Sequence, residues 1–230
     1  MERKEVVISG IKRAVPFLLG YLPIGISYGL MAVKSGLSIM ETVSMSIFVF
    51  AGSSQLISVN MFAAGAGVLS IVMMTFLVNL RHILMSSSLS LQFRKTPGKM
   101  IPFLGFLVTD ESFAVSNAFF DQYRERDKGL FFLSLGLTAY LGWVLSSFTG
   151  SIIGALIPLG ELPGLDFVLP AMFIILLVMQ IGGKRELFVA LLSAFLSLLF
   201  VYLLPDNWNI IIATVLAAAA GVFFEKADRI

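Results

Sequence analysis

Residues 101–120 read IPFLGFLVTDESFAVSNAFF, an apolar run with two adjacent acids, Asp110 and Glu111, at its centre. The run has the length of a bilayer crossing, and its apolar residues are continuous rather than alternating, which selects a helix over a barrel strand. Its ten Leu, Ile, Val and Phe residues contribute about −3 to −6 kcal/mol to insertion. Each ionised acid at mid-segment costs about 2.5–3.5 kcal/mol, so the two together cancel the apolar gain. Such a segment needs protonation, a cation or a water-filled cavity to be stable inside a membrane.

The preceding run, Gly65 to Phe93, carries Arg81 and His82, and His82 is the chain's one histidine. Arg81 is the cation best placed to partner the acids. A carboxyl group poised between low dielectric, which favours its neutral form, and a nearby cation, which favours its charge, can take up and release protons. A second reading stays open here. Residues 63–80 alone are about long enough to span, so Arg81 and His82 would then snorkel at the interface.

The rest of the 230-residue chain is of the same kind: 58% hydrophobic, 13% charged, mean hydropathy +0.95, against about 25% charged in soluble domains. Apolar runs cover roughly 14–33, 42–62, 65–93, 101–120, 130–158, 166–183, 187–204 and 208–224. Short connections leave no room for a soluble domain. The expectation is an all-α, polytopic integral membrane protein with seven or eight membrane segments, residues 1–230 forming a single transmembrane domain. There is no cysteine, which excludes disulfides and thiolate chemistry, and one histidine argues against a zinc site. No metal, cofactor or enzymatic motif is read. A net charge of +2 gives no basis for nucleic-acid binding. Arg3, Lys4, Lys12 and Arg13 ahead of the first run resemble a signal peptide, but the run is long enough to span and reads as a retained helix.

Lys and Arg concentrate in 1–13, 94–99, 124–128, 184–185 and the C-terminal tail, and positive charge marks the cytoplasmic side. The N-terminus is therefore expected in the cytoplasm. Eight simple crossings would place 94–99 outside, against the rule. If 42–62 and 101–120 both enter and return, every basic cluster falls inside and Lys34 alone is misplaced. Both runs carry small polar interruptions at mid-depth, Ala51-Gly52-Ser53-Ser54-Gln55 and Thr109-Asp110-Glu111-Ser112. Irregular backbone at such depth lines a cavity or is buried in protein, and broken helices build transporter sites. Two ordinary helices with small polar residues are the alternative. Ser38 to Glu41 has capping-box spacing ahead of the second run, and Asp166 would cap the sixth. The first and fifth runs share a glycine-rich character that suggests an internal repeat.

Asp110 and Glu111 are accordingly the candidate proton-coupling residues. Arg81, Asn79, Ser53, Ser54 and Gln55 are the candidate substrate-binding residues, with Gly52 permitting close backbone approach and His82 in attendance. Gly25 to Gly29 and Gly150 to Gly154 are read first as packing motifs.

Pro23-Ile24-Gly25-Ile26-Ser27-Tyr28-Gly29, Gly36-Leu37-Ser38, Phe48 to Gln55, Asn79-Leu80-Arg81-His82, Thr109-Asp110-Glu111 and Leu165 to Ala171 stand in this order along the chain. In that order and spacing the chain resembles the AzlC-type large subunits of branched-chain amino acid exporters over nearly its whole length. The resemblance implies export of leucine, isoleucine and valine across the bacterial inner membrane, driven by the proton motive force. It also implies a small AzlD-type membrane protein as a separately encoded partner. An amino-acid channel and a non-transporting membrane scaffold remain the competing functional readings.

Overall fold

Hydropathy alone demands helices, and helices are what the computed structural model contains: no strand occurs among its described residues, which are 2–157, 174, 177–178, 181, 183–203 and 208–227. The helices are α1 (Arg3–Lys34), α2 (Ile39–Phe48), α3 (Gly52–Ala63), α4 (Val68–Ser90), α5 (Ile101–Phe106), α6 (Asp110–Phe119), α7 (Glu125–Leu156), α8 (Lys184–Phe200) and α9 (Trp208–Ala227). Asp166 and most of the sixth apolar run lie outside the described residues. Three described helices are long and apolar enough to cross a bilayer: α1, α4 with its 3₁₀ extension to Phe93, and α7. Large apolar side chains on them face outward, Leu69 of α4 at 75% exposure and Leu19 of α1 at 69% among them. A soluble protein buries such surface, whereas lipid accepts it. The chain is a polytopic α-helical membrane protein.

Residues 1–163 and 164–230 form two compact units. In the first, α1 and α7 are 32 residues each and about 48 Å long. They lie side by side in parallel. Gly10 meets Ser134, Leu18 meets Gly142, Ile26 meets Gly150 and Leu30 meets Gly154, a constant offset along both helices. The seam is made of small residues on both sides, Gly25 and Gly29 against Ser146, Ser147 and Ser151. Lipid supplies no hydrophobic drive for helix association, so close backbone approach must supply it. The glycine spacings noted in the sequence are packing motifs, as expected. The helix begins at Arg3 rather than near residue 14, so Lys12 and Arg13 lie within it; the Glu5 carboxylate accepts from the Glu2 N–H at 2.9 Å and helps fix that start.

Parallel neighbours begin at the same end, so the chain between them must return once. α4 makes that return. After it, Gln92 accepts from Lys128 (2.6 Å) and Phe93 packs edge-on to Phe132, both near the start of α7.

The two broken segments are helical hairpins that enter from opposite ends. In the first, α2 starts beside the end of α1, where Ser38 and Glu41 form the expected capping box. α3 ends there too, since Phe62 shares a groove with Ser35, Leu37 and Glu41. Glycine is required at both turns of this end: Gly36 (φ +96) after α1 and Gly65 (φ +69) after α3 adopt the left-handed conformation that closes a helix. The second hairpin starts and ends beside the N-termini of α1 and α7. Thr96 abuts Gly129, and the Tyr123 hydroxyl is 2.7 Å from Ser9 Oγ. Helices of 10 and 12 residues reach about 15–18 Å, half the thickness of a hydrocarbon core. That length is why the tips meet midway.

In the second unit α8 and α9 pack antiparallel. Asn209 donates to the Ser197 carbonyl at 3.2 Å, and Gly221 passes Val189.

Candidate functional site

The first tip, Val49 to Ala51, is held by an aromatic wedge. Phe50 has φ +41, a conformation costing a bulky residue about 1–3 kcal/mol. Its ring is nearly fully buried and packs on Tyr140 (5.2 Å) and Phe106 (6.1 Å). Phe106 ends α5, so this stack joins the two tips at the middle of α7. Gly52 begins α3 where the Trp143 ring lies too close for a side chain: a Cβ there would sit 2.8 Å from it.

The second tip, Leu107 to Thr109, ends in a cap. Thr109 accepts from the Ser112 N–H at 3.2 Å, and Ser112 Oγ accepts from the Thr109 N–H at 2.8 Å. Asp110 and Glu111 thus form the first turn of α6, where the positive end of the helix dipole favours acids.

Arg81 comes from the middle of α4 and reaches both tips. Its Nη1 lies 2.7 Å from Asp110 Oδ2, and its Nη2 donates to Ser53 Oγ at 2.9 Å. The partnership expected from sequence is therefore a direct ion pair. Two residues earlier, Asn79 Oδ1 accepts from Ser54 Oγ at 2.6 Å. Arg81 and Asp110 remain partly open, with side chains 32% and 49% exposed. His82 is directed back to its own helix, its Nδ1 3.3 Å from the Asn79 carbonyl.

Gln55 differs from its neighbours. It is fully buried and its amide is used twice, donating to Ser46 Oγ and accepting from Trp143 Nε1, each at 3.0 Å. It clamps the two arms of the first hairpin to α7.

Glu111 accepts from the Tyr21 hydroxyl of α1 at 2.6 Å; the same hydroxyl lies 3.1 Å from Thr109 Oγ1. Tyr21 and Trp143 were not singled out in the sequence. Their signal was present: each is an aromatic ring with a polar handle inside an apolar run, and such a handle finds a partner when buried.

The sequence pattern of the family described as AzlC protein matches residues 16–157, which contain both hairpins, Arg81 and the acids. A Bacillus subtilis protein described as "Branched-chain amino acid transport protein AzlC" is 31% identical, the match covering 96% of this chain and 87% of that one. The Escherichia coli "Inner membrane protein YgaZ" is 28% identical over 78% of this chain and 75% of its own. A Helicobacter pylori protein described as an uncharacterized membrane protein is 28% identical over 92% of each chain. No solved structure matches.

Proposed function

The chain belongs to the AzlC family, and on that premise we propose that it is a transporter that exports branched-chain amino acids across the bacterial inner membrane. It is a transport protein rather than an enzyme. The similar Bacillus subtilis protein is described as a branched-chain amino acid transport protein, which supports the substrate class. The basic clusters support a cytoplasmic N-terminus.

The observation that carries the mechanism is Arg81 bridging two helix N-termini, at Ser53 and at Asp110, at the meeting point of two opposed hairpins. Such a site can be opened toward either end by withdrawing one hairpin or the other, which is what alternating access needs. Asp110 is the proton carrier, with Glu111 as its neighbour in charge. Arg81 anchors the substrate carboxylate, and Asn79, Ser53 and Ser54 line the site. Gln55 and Gly52 hold the first tip in place, and His82 flanks the ion pair. Residues 1–230 act as a single transporter domain, together with a small AzlD-type membrane subunit.

Leucine counterflow in proteoliposomes, with and without that subunit and across a pH gradient, tests this. A carrier gives transient accumulation of labelled leucine against its gradient. A pore cannot do so, and a scaffold gives no flux at all. Asp110→Asn is expected to abolish proton-driven export while folded protein still reaches the membrane; normal driven export by that variant removes Asp110 from the mechanism.

A further inference from the structure

Export driven by an inward proton gradient requires exchange, in which the proton and the amino acid occupy the carrier alternately. Cotransport would require both aboard together. Alternation follows when the two must use the same chemical group.

The Arg81–Asp110 pair (2.7 Å) matches a zwitterion in reverse: guanidinium for carboxylate, aspartate for ammonium. The surroundings polarise the pair in the same sense. Arg81 rests on Ser53 in the first turn of α3, and the N-cap of that helix, Ala51, offers no side-chain cap, so its N-terminus attracts an anion. The first turn of α6 is already capped by Thr109 and Ser112 and carries two acids, so it attracts a cation. Both members of the pair are partly exposed, whereas Gln55 is sealed.

We infer that a free amino acid inserts between Arg81 and Asp110, its carboxylate on the guanidinium and its ammonium on the Asp110 carboxylate, so that ammonium and proton compete for Asp110. This rests on the amino-acid transport reading above. When the amino acid leaves, the Asp110 carboxylate is left to Arg81 or to one proton from water, and the protonated form is the one that carries the emptied site back. When the next amino acid arrives with its ammonium already protonated, that proton returns to water on the side of loading. One proton is exchanged for one zwitterion, with no other reactant. Among the described residues, the charged and titratable groups around Asp110 include Arg81 and His82 on α4, Glu111 on α6 and Tyr21 on α1.

The test is equilibrium binding of labelled leucine to the purified full-length protein with its small subunit, from about pH 4 to about pH 8. Binding is expected to weaken as pH falls, approaching about tenfold per pH unit where Asp110 takes up its proton. Asp110→Asn should bind at least about tenfold more weakly at the upper pH and show no slope. Isocaproate, which is leucine without its amine, should compete without that slope on the unaltered chain, a comparison that needs no variant. His82→Gln should keep the slope. Binding that tightens as pH falls would mean that Asp110 competes with the substrate for Arg81, and would overturn the inference. So would a slope that survives in Asp110→Asn. Leucine binding indifferent to pH defeats the alternation alone, whereas no leucine binding at any pH defeats the transport reading with it.

Discussion

Nη1 of Arg81 lies 2.7 Å from Oδ2 of Asp110, so one side chain from the middle of α4 closes the gap between hairpins that enter from opposite ends. The second arm of the same guanidinium holds Ser53 of the other hairpin at 2.9 Å. A planar fork can serve two partners at once, and an ammonium on a flexible stem serves them poorly.

Arg81→Lys is therefore expected to lower leucine counterflow by about tenfold or more, and Arg81→Gln to abolish it. Both variants should remain folded, because the ion pair is partly exposed. Wild-type counterflow in Arg81→Gln would show that the bridge is dispensable.

The hairpin geometry makes a topological prediction, and a chain without cysteine is convenient for testing it. Single cysteines at Ser35 and Ala64 should react with an impermeant maleimide from one side of the membrane. Cysteines at Lys95 and Gln122 should react from the other. If Ala64 and Ser35 label from opposite sides, α2 and α3 together cross the membrane and the hairpin is wrong.

Glycines on the α1–α7 seam and off it should behave oppositely. A Cβ at Gly29 would collide with the Ser147 carbonyl, and one at Gly150 with the Ile26 carbonyl. Gly29→Val or Gly150→Val should cost about 3 kcal/mol or more, since backbone cannot step aside as a side chain can. Gly20, within the same helix, has nothing near its Cβ position. Gly20→Ala should be neutral or stabilising by up to about 1 kcal/mol. Thermal unfolding of the purified variants measures both.

Trp143→Phe keeps most of the ring but removes the donor to Gln55, whose buried carbonyl then lacks the partner it had at 3.0 Å. The expected cost is about 1–3 kcal/mol, read as a lower unfolding temperature. Unchanged stability would mean that the Gln55 clamp is not what fixes the first hairpin.

Some of this was legible from residue order. Small and polar residues at 51–55 and 109–112 mark the two interruptions, but the breaks themselves lie just before them, at 49–51 and 107–109, and most of the polar residues form the first turns of the helices that follow. The Ser38 and Glu41 cap was readable because a capping box is local. The role of Gln55 was not. It stood in the same polar stretch as Ser53 and Ser54, but its partner Trp143 is 88 residues away, and no local pattern identifies such a contact. The same holds for the partners of Tyr21, Thr109 and Glu111, which are 88 and 90 residues away.

The sequence by itself determined that the chain is a helical membrane protein, where its helices break, and that two acids at mid-run need a cation. Those conclusions follow from transfer energies and chain length, which are additive along the chain. Tertiary structure decided which of the two acids Arg81 meets, that Glu111 turns to Tyr21 while Asp110 turns to Arg81, and that the hairpins enter from opposite ends. These depend on the parallel seam of glycine and serine between α1 and α7, a contact between residues more than a hundred positions apart. A seam of that kind is a property of two fitted surfaces, and neither helix specifies it alone.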